Sequence, residues 1–129
     1  MSNALAGQPT QVELEILQIL WELGPSPVRE IHARLTEAKG TNYSTTVKML
    51  AVMLAKGLVR RDEDVRPHIY RAVLTRARAR KSMLKDLIEK AYEGSAMSLV
   101  LQALSTGKKA TQEEIDAARK LLDELEERK

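Results

Sequence analysis

Residues 42–72 read NYSTTVKMLAVMLAKGLVRRDEDVRPHIYRA, and a change of period inside this stretch decides the fold. Asn42 to Ser44 offer caps for a helix that runs to Lys56, and Gly57 is its stop. After Gly57 the helical spacing gives way to two short extended runs, Leu58–Arg61 and His68–Val73. The charged loop Asp62–Pro67 joins them, so the pair reads as a hairpin.

Working backward, Thr10 and Glu13 form a capping-box pattern ahead of Val12, Ile16, Leu17, Ile19, Leu20 and Leu23 at helical spacing. Gly24-Pro25 ends this first helix. Ser26-Pro27 restarts the chain as an N-cap residue and a proline at the first helical position, giving a second helix over Pro27–Ala38. It buries Val28, Ile31 and Leu35, and Lys39-Gly40 closes it. Three helices followed by a hairpin make the order of a winged helix-turn-helix.

Working forward, the chain returns to helix over Thr75–Tyr92, Ser95–Leu104 and Thr111–Glu127, the last opened by a second capping box, Thr111 and Glu114. Three separate helices cannot hide the apolar residues this segment carries. Leu84, Leu87, Ile88, Leu99, Val100, Leu104, Leu121, Leu122 and Leu125 are therefore assigned to an interface with a second copy of the chain. The expected organisation is a disordered N-terminus (1–8), a winged-helix domain (9–74) and a helical dimerisation region (75–129). The fold class is mainly α with a small β-hairpin.

The third helix separates into two faces. At 100° per residue from Lys48, Thr46, Val47, Met49, Leu50, Met53 and Leu54 fall between about 100° and 260° and form the core side. Ser44, Thr45, Lys48, Ala51, Val52 and Ala55 collect opposite them. That face is small, uncharged or basic and has no carboxylate, as a side chain set entering a DNA major groove requires. Ser44, Thr45 and Lys48 can reach phosphates or base edges, and Val52 can pack on a thymine methyl. Arg60, Arg61 and Arg66 of the hairpin are candidates for phosphate contact, although Asp62, Glu63 and Asp64 stand beside them.

Charge distribution agrees. Residues 39–80 carry ten Lys and Arg against three acids, whereas residues 81–129 carry nine against ten. The basic excess lies where phosphates would be met. The competing reading is a winged helix used as a protein interaction module without sequence-specific DNA binding.

Other chemistries find no support in the residues. Cysteine is absent, which removes disulfides, zinc ribbons, thiol catalysis and thiolate metal sensing. The two histidines, His32 and His68, are not paired at ligand spacing, so neither a metal nor another cofactor is expected. No serine lies in a Gly-x-Ser-x-Gly turn, no glycine-rich phosphate loop occurs, and the chain is not read as an enzyme. Phenylalanine is absent and aromatics are 3%, leaving little on which single-stranded RNA could stack. No apolar run reaches membrane-spanning length, and Met1–Gln8 lack the features of a signal peptide. A soluble, cytoplasmic protein is expected.

From Thr10 to Ala72 the chain resembles the penicillinase-repressor family, the BlaI/MecI/CopY type. The likeness is carried by Glu13-Leu14-Glu15-Ile16-Leu17 with Leu20-Trp21, Val28-Arg29-Glu30-Ile31, Tyr43 to Leu50, Lys56-Gly57-Leu58-Val59 and His68 to Ala72, and Ser98 to Leu101 also looks familial. The resemblance implies a winged-helix dimer that sits on a pseudo-palindromic operator and blocks transcription, with C-terminal helices forming the dimer interface. It places the recognition positions at Ser44, Thr45, Lys48 and Val52, the four that the face analysis selects. Two departures stand out. Where antibiotic-responsive members are cleaved at an Asn-Phe bond, this chain has Gln102-Ala103, and it lacks the cysteine cluster of copper-responsive members.

Overall fold

The computed structural model describes residues 8–128. The expected disorder of residues 1–8 falls, Gln8 apart, outside the described residues. The elements run α1 (Gln11–Leu23), β1 (Ser26–Pro27), α2 (Val28–Lys39), α3 (Tyr43–Lys56), β2 (Val59–Asp62), β3 (Ile69–Ala72), α4 (Arg76–Ala91), α5 (Ala96–Thr106) and α6 (Gln112–Glu127). This is the winged helix-turn-helix order followed by C-terminal helices.

Both capping boxes form. Thr10 Oγ1 accepts from the Glu13 N–H while the Glu13 carboxylate accepts from the Thr10 N–H, and Thr111 and Glu114 repeat the exchange at α6. Each cap satisfies donors that a helix start otherwise leaves open, worth about 1 kcal/mol. At the other end of α3, Gly57 takes φ 83°, its N–H returns to the Leu54 carbonyl, and the Leu58 N–H returns to Met53. That double return is a Schellman motif, and its left-handed residue is why a glycine stands there. It turns the chain directly into β2.

The restart at Ser26-Pro27 differs from the sequence expectation. These two residues form a short strand that pairs antiparallel with β3, Ser26 opposite Tyr70 and Pro27 opposite Ile69, so the sheet has three strands in the order β1-β3-β2. The buried Ser26 hydroxyl donates to the Gly24 carbonyl at 2.8 Å instead of capping α2, and Pro27 is the cap residue without a side-chain bond. Proline is tolerated because β1 is an edge strand, where no ladder hydrogen bond is demanded of it on the open side.

One core holds the winged helix together: Ile16, Leu17, Ile19 and Leu20 of α1, Ile31 and Leu35 of α2, Leu50 and Met53 of α3, and Leu58, Val59 and Tyr70 of the hairpin. Each fully buried side chain of this size contributes roughly 1.5–3 kcal/mol. Trp21 packs at its edge, donates from Nε1 to the Leu74 carbonyl at 2.9 Å, and carries the Arg76 guanidinium 5.7 Å above its ring. The third helix thus meets the core along Thr46, Leu50 and Met53, with Met49 and Leu54 half-buried beside them. Val47, assigned by period to the core side, is 41% exposed. It lies at the margin of the arc, where α1 and α2 no longer cover the helix.

A polar lock crosses this core. Glu13 is buried to 1% exposure, and Lys56 Nζ donates to both of its oxygens, at 2.9 Å and 3.0 Å. The first turn of α1 is thereby tied to the last turn of α3.

By internal packing the chain divides into two units, one running to Asp86 and the other from Leu87 onward. In the second unit Ser95 caps α5 by accepting from the Ser98 N–H, after a turn in which Glu93 and Gly94 both have positive φ. Neither α5 nor α6 buries a single residue within the chain.

Candidate nucleic-acid interface

The start of α3 is organised by Asn42. Its carboxamide oxygen accepts from the Thr45 N–H at 3.1 Å, the Ser44 hydroxyl at 3.1 Å and the Thr45 hydroxyl at 2.7 Å. With their protons turned back toward Asn42, the two hydroxyls present lone pairs outward. Such oxygens accept from base amino groups without rearrangement.

Along the rest of the helix Lys48, Ala51, Val52 and Ala55 are exposed on the side away from the core. Val52 is 46% exposed, and Lys48 makes no hydrogen bond or ion pair with any described residue. The helix interior of α3 contains no acid. Exposed Val47 extends this surface by a second apolar side chain, which the period had placed on the core side. Ser44, Thr45, Lys48 and Val52 therefore share one open, acid-free face. Nothing covers it among the described residues.

The hairpin arginines divide into three situations. Arg61 donates from Nε to Glu63 at 2.9 Å, makes a second bond to the same carboxylate oxygen, and reaches the Tyr70 hydroxyl at 3.5 Å. The Tyr70 bond first, and then Glu63, hold its pKa above the usual guanidinium value, and Arg61 in turn lowers that of Glu63. Arg66 folds back on its own loop, donating to the Glu63 carbonyl at 2.8 Å, with Nη1 2.7 Å from His68 Nε2. Arg60 has no such partner among the described residues. It stands opposite Arg71 across the β2–β3 ladder, both exposed. A like-charge pair directly opposite in a sheet is destabilising by itself, and an anion between the two relieves it.

A groove of about 600 Å³ opens between the start of α2, Tyr43 at the start of α3, and the hairpin residues Pro67 to Tyr70. Arg29 and His68 stand on its walls, together with Glu30. Its polar lining is mixed in sign.

The expected dimerisation residues are apolar and incompletely covered. Leu84 is 47% exposed and Leu87 48%, Ile88 and Leu99 are half-buried, and Val100 is 38% exposed. Leu104 reaches 69%, Leu121 54%, Leu122 47% and Leu125 41%, and Met97, Leu101 and Ile115 of the same helices are exposed as well. So much open leucine on three helices is unusual for a chain that works alone.

No cluster of three or more His, Cys, Asp and Glu suited to a metal occurs among the described residues, and no described helix is long and apolar enough to cross a membrane. Sequence reasoning missed two contacts behind the open face: Lys56 on Glu13, and His32 on Thr46. Both join residues far apart in the chain. No local pattern announces them.

No curated protein matches the chain in sequence. Residues 9–124 match the penicillinase repressor family, a span that includes the winged helix and nearly all of the C-terminal helices. The chain belongs to the penicillinase repressor family, and the function that goes with this membership is that of a DNA-binding transcriptional repressor rather than an enzyme.

Proposed function

We propose that the protein acts in the cytoplasm as a homodimer that occupies a pseudo-palindromic operator and blocks transcription. Residues 9–74 are the DNA-binding domain and residues 75–129 the dimerisation region. The observation that carries this reading is the open, acid-free face of α3 with Ser44, Thr45, Lys48 and Val52 on it. In the major groove the two hydroxyls and Lys48 read base edges or phosphates, and Val52 packs on a thymine methyl. Arg60 supplies a phosphate contact from the wing. Arg61 and Arg66 join it only by exchanging their present bonds to Glu63 for phosphate oxygens.

The dimer follows from area. Leaving Leu101, Leu104 and Leu121 more than half exposed forfeits roughly 25 cal/mol for each Å² of apolar surface, and a second copy covers such a face by symmetry. Light scattering at micromolar concentration is expected to give twice the chain mass. A monomeric mass contradicts the proposal.

The DNA reading is tested by selection from a pool of random-sequence duplexes, followed by a salt titration on the winning sequence. Enrichment of an inverted repeat is expected, with half-sites one or more duplex turns apart, about 34 Å per turn. Affinity is expected to fall by roughly one decade per decade of salt for each phosphate neutralised. Weak, salt-insensitive binding with no enriched sequence assigns the fold to the protein interaction module instead.

A further inference from the structure

Behind the open face of α3 lies a cluster of side-chain contacts that the DNA-reading role does not by itself explain. Thr46, on the core side of α3, is completely buried, and its hydroxyl sits 2.8 Å from His32 Nδ1 on α2. Thr36, one turn along α2, lies with its oxygen 3.0 Å from His32 Nε2 and 3.3 Å from Nδ1. The Thr36 hydroxyl also reaches the Thr41 carbonyl at 3.1 Å, inside the turn that leads into α3. The Tyr43 ring stands edge-on to the imidazole, centroids 5.2 Å apart at 81°.

A carbonyl can only accept, so the Thr36 proton is committed to Thr41. Nearly equidistant from the two ring nitrogens, the Thr36 oxygen lies over the face of the imidazole, outside the plane in which a ring N–H points, and its contact with His32 is one of packing. The bond between His32 Nδ1 and the Thr46 hydroxyl is the one that relieves a fully buried polar group of its desolvation cost.

We infer that His32 is a positioning residue of the DNA-reading helix, fixing where α3 and its entry turn sit by bonding the buried Thr46 hydroxyl through Nδ1 while its ring face packs against Thr36, whose own hydroxyl holds the Thr41 carbonyl. Tyr43, Ser44 and Thr45 lie between the two tied points, Thr41 and Thr46, so the bonds govern the segment that opens the recognition face. Apolar packing of Leu50 and Met53 holds the middle of α3 but is non-directional. Hydrogen bonds with defined angles fix its rotation and register. The inference rests on the DNA-binding reading above. It adds to it a residue that touches no base.

A loss of positioning differs from a loss of phosphate contact. Lysines and arginines on the surface still attract any duplex when His32 is removed, whereas base readout needs the face in register. The experiment compares the full-length protein with His32→Ala, His32→Asn and Thr46→Val. The probes are a duplex enriched by the wild-type protein from a random pool and a scrambled duplex of the same length. His32→Ala is expected to lower the ratio of selected to scrambled affinity about tenfold, with scrambled-duplex affinity and its salt slope unchanged. His32→Asn, whose carboxamide oxygen stands close to the place of Nδ1, is expected to recover most of the ratio. Thr46→Val removes only the buried hydroxyl at matching shape and is expected to lower the ratio in the same sense, which keeps the test valid if His32→Ala folds poorly.

Equal ratios for wild type, His32→Ala and Thr46→Val overturn the inference. So does a parallel loss on both duplexes, or an Asn variant no better than Ala, because either marks a general structural role. Failure of the wild-type protein to enrich any duplex sinks the repressor reading, and this inference with it. Enrichment by wild type with unchanged variants sinks the inference alone.

Discussion

Lys48→Glu is expected to lower affinity for the selected duplex by a hundredfold or more while shifting stability by no more than about 0.5 kcal/mol. Lys48 is exposed and has no partner among the described residues, so folding loses nothing when the charge is reversed. In the complex the new carboxylate faces phosphates or base acceptors, and in a two-fold dimer it does so twice per site. Lys48→Ala separates the two parts of that effect. Removing one phosphate contact per subunit lowers the salt slope by about two in a dimer and weakens all duplexes alike, whereas removing a base contact relaxes one position of the operator. Thr45→Ala is expected to act mainly on the selected duplex, because the backbone bond from Thr45 to Asn42 survives the change and keeps the helix capped. Gel-shift or anisotropy titrations at several salt concentrations, beside thermal melts of the same variants, read all of these quantities. Variants that bind like the parent remove Lys48 and Thr45 from the interface.

These predictions draw on what was local in the sequence. The faces of α3 were legible because 3.6-residue spacing is a property of neighbouring residues, and the capping boxes because three-residue spacing is as well. Legibility ended where partners lie far apart in the chain. Ser26-Pro27 carries every sign of a helix start, yet β3 takes it as an edge strand, a pairing set by the arrival of the hairpin. Val47 sits at the margin of an arc whose width depends on how far α1 and α2 reach around α3. Periodicity gives the direction of a side chain and not the extent of its cover. The wing was partly legible: the acids beside Arg61 and Arg66 were visible, and Glu63 does engage both, through its carboxylate and its carbonyl.

The non-local contacts share a consequence. Thr46 ties α3 near its start through His32, and Lys56 ties its end through Glu13, so the helix that presents the open face is fixed at two places by directional bonds. A recognition helix held only by apolar packing can rotate by a few degrees at little cost. Discrimination between sequences depends on such rotations being suppressed.

Lys56→Met is expected to cost about 2–4 kcal/mol of stability at pH 7, and the loss is expected to shrink on acidification. Burial pushes the Glu13 carboxyl upward, but the Thr10 backbone N–H and the Lys56 ammonium outweigh it, and the net pKa lies below the ordinary carboxylate value. A group lowered in the folded state stabilises above its unfolded pKa, roughly 4.3, and loses that contribution as pH falls through the folded value. Wild type therefore keeps this term at neutral pH and gives it up only in acid. With Met at position 56 the bond and charge of the lysine are gone while burial and the Thr10 bonds remain, so the Glu13 pKa moves upward and the variant keeps less of this term at pH 7. Once Glu13 is protonated in both proteins the charge difference between them vanishes. The gap therefore narrows as pH drops from 7 toward roughly 3. Urea denaturation across that range measures the gap directly, and Glu13→Gln combined with Lys56→Met is expected to recover much of the loss at pH 7, since a neutral amide needs no counter-charge. A gap that stays constant with pH assigns the effect to lost packing of the lysine stem, and Glu13–Lys56 then ceases to count as an ionic lock on α3.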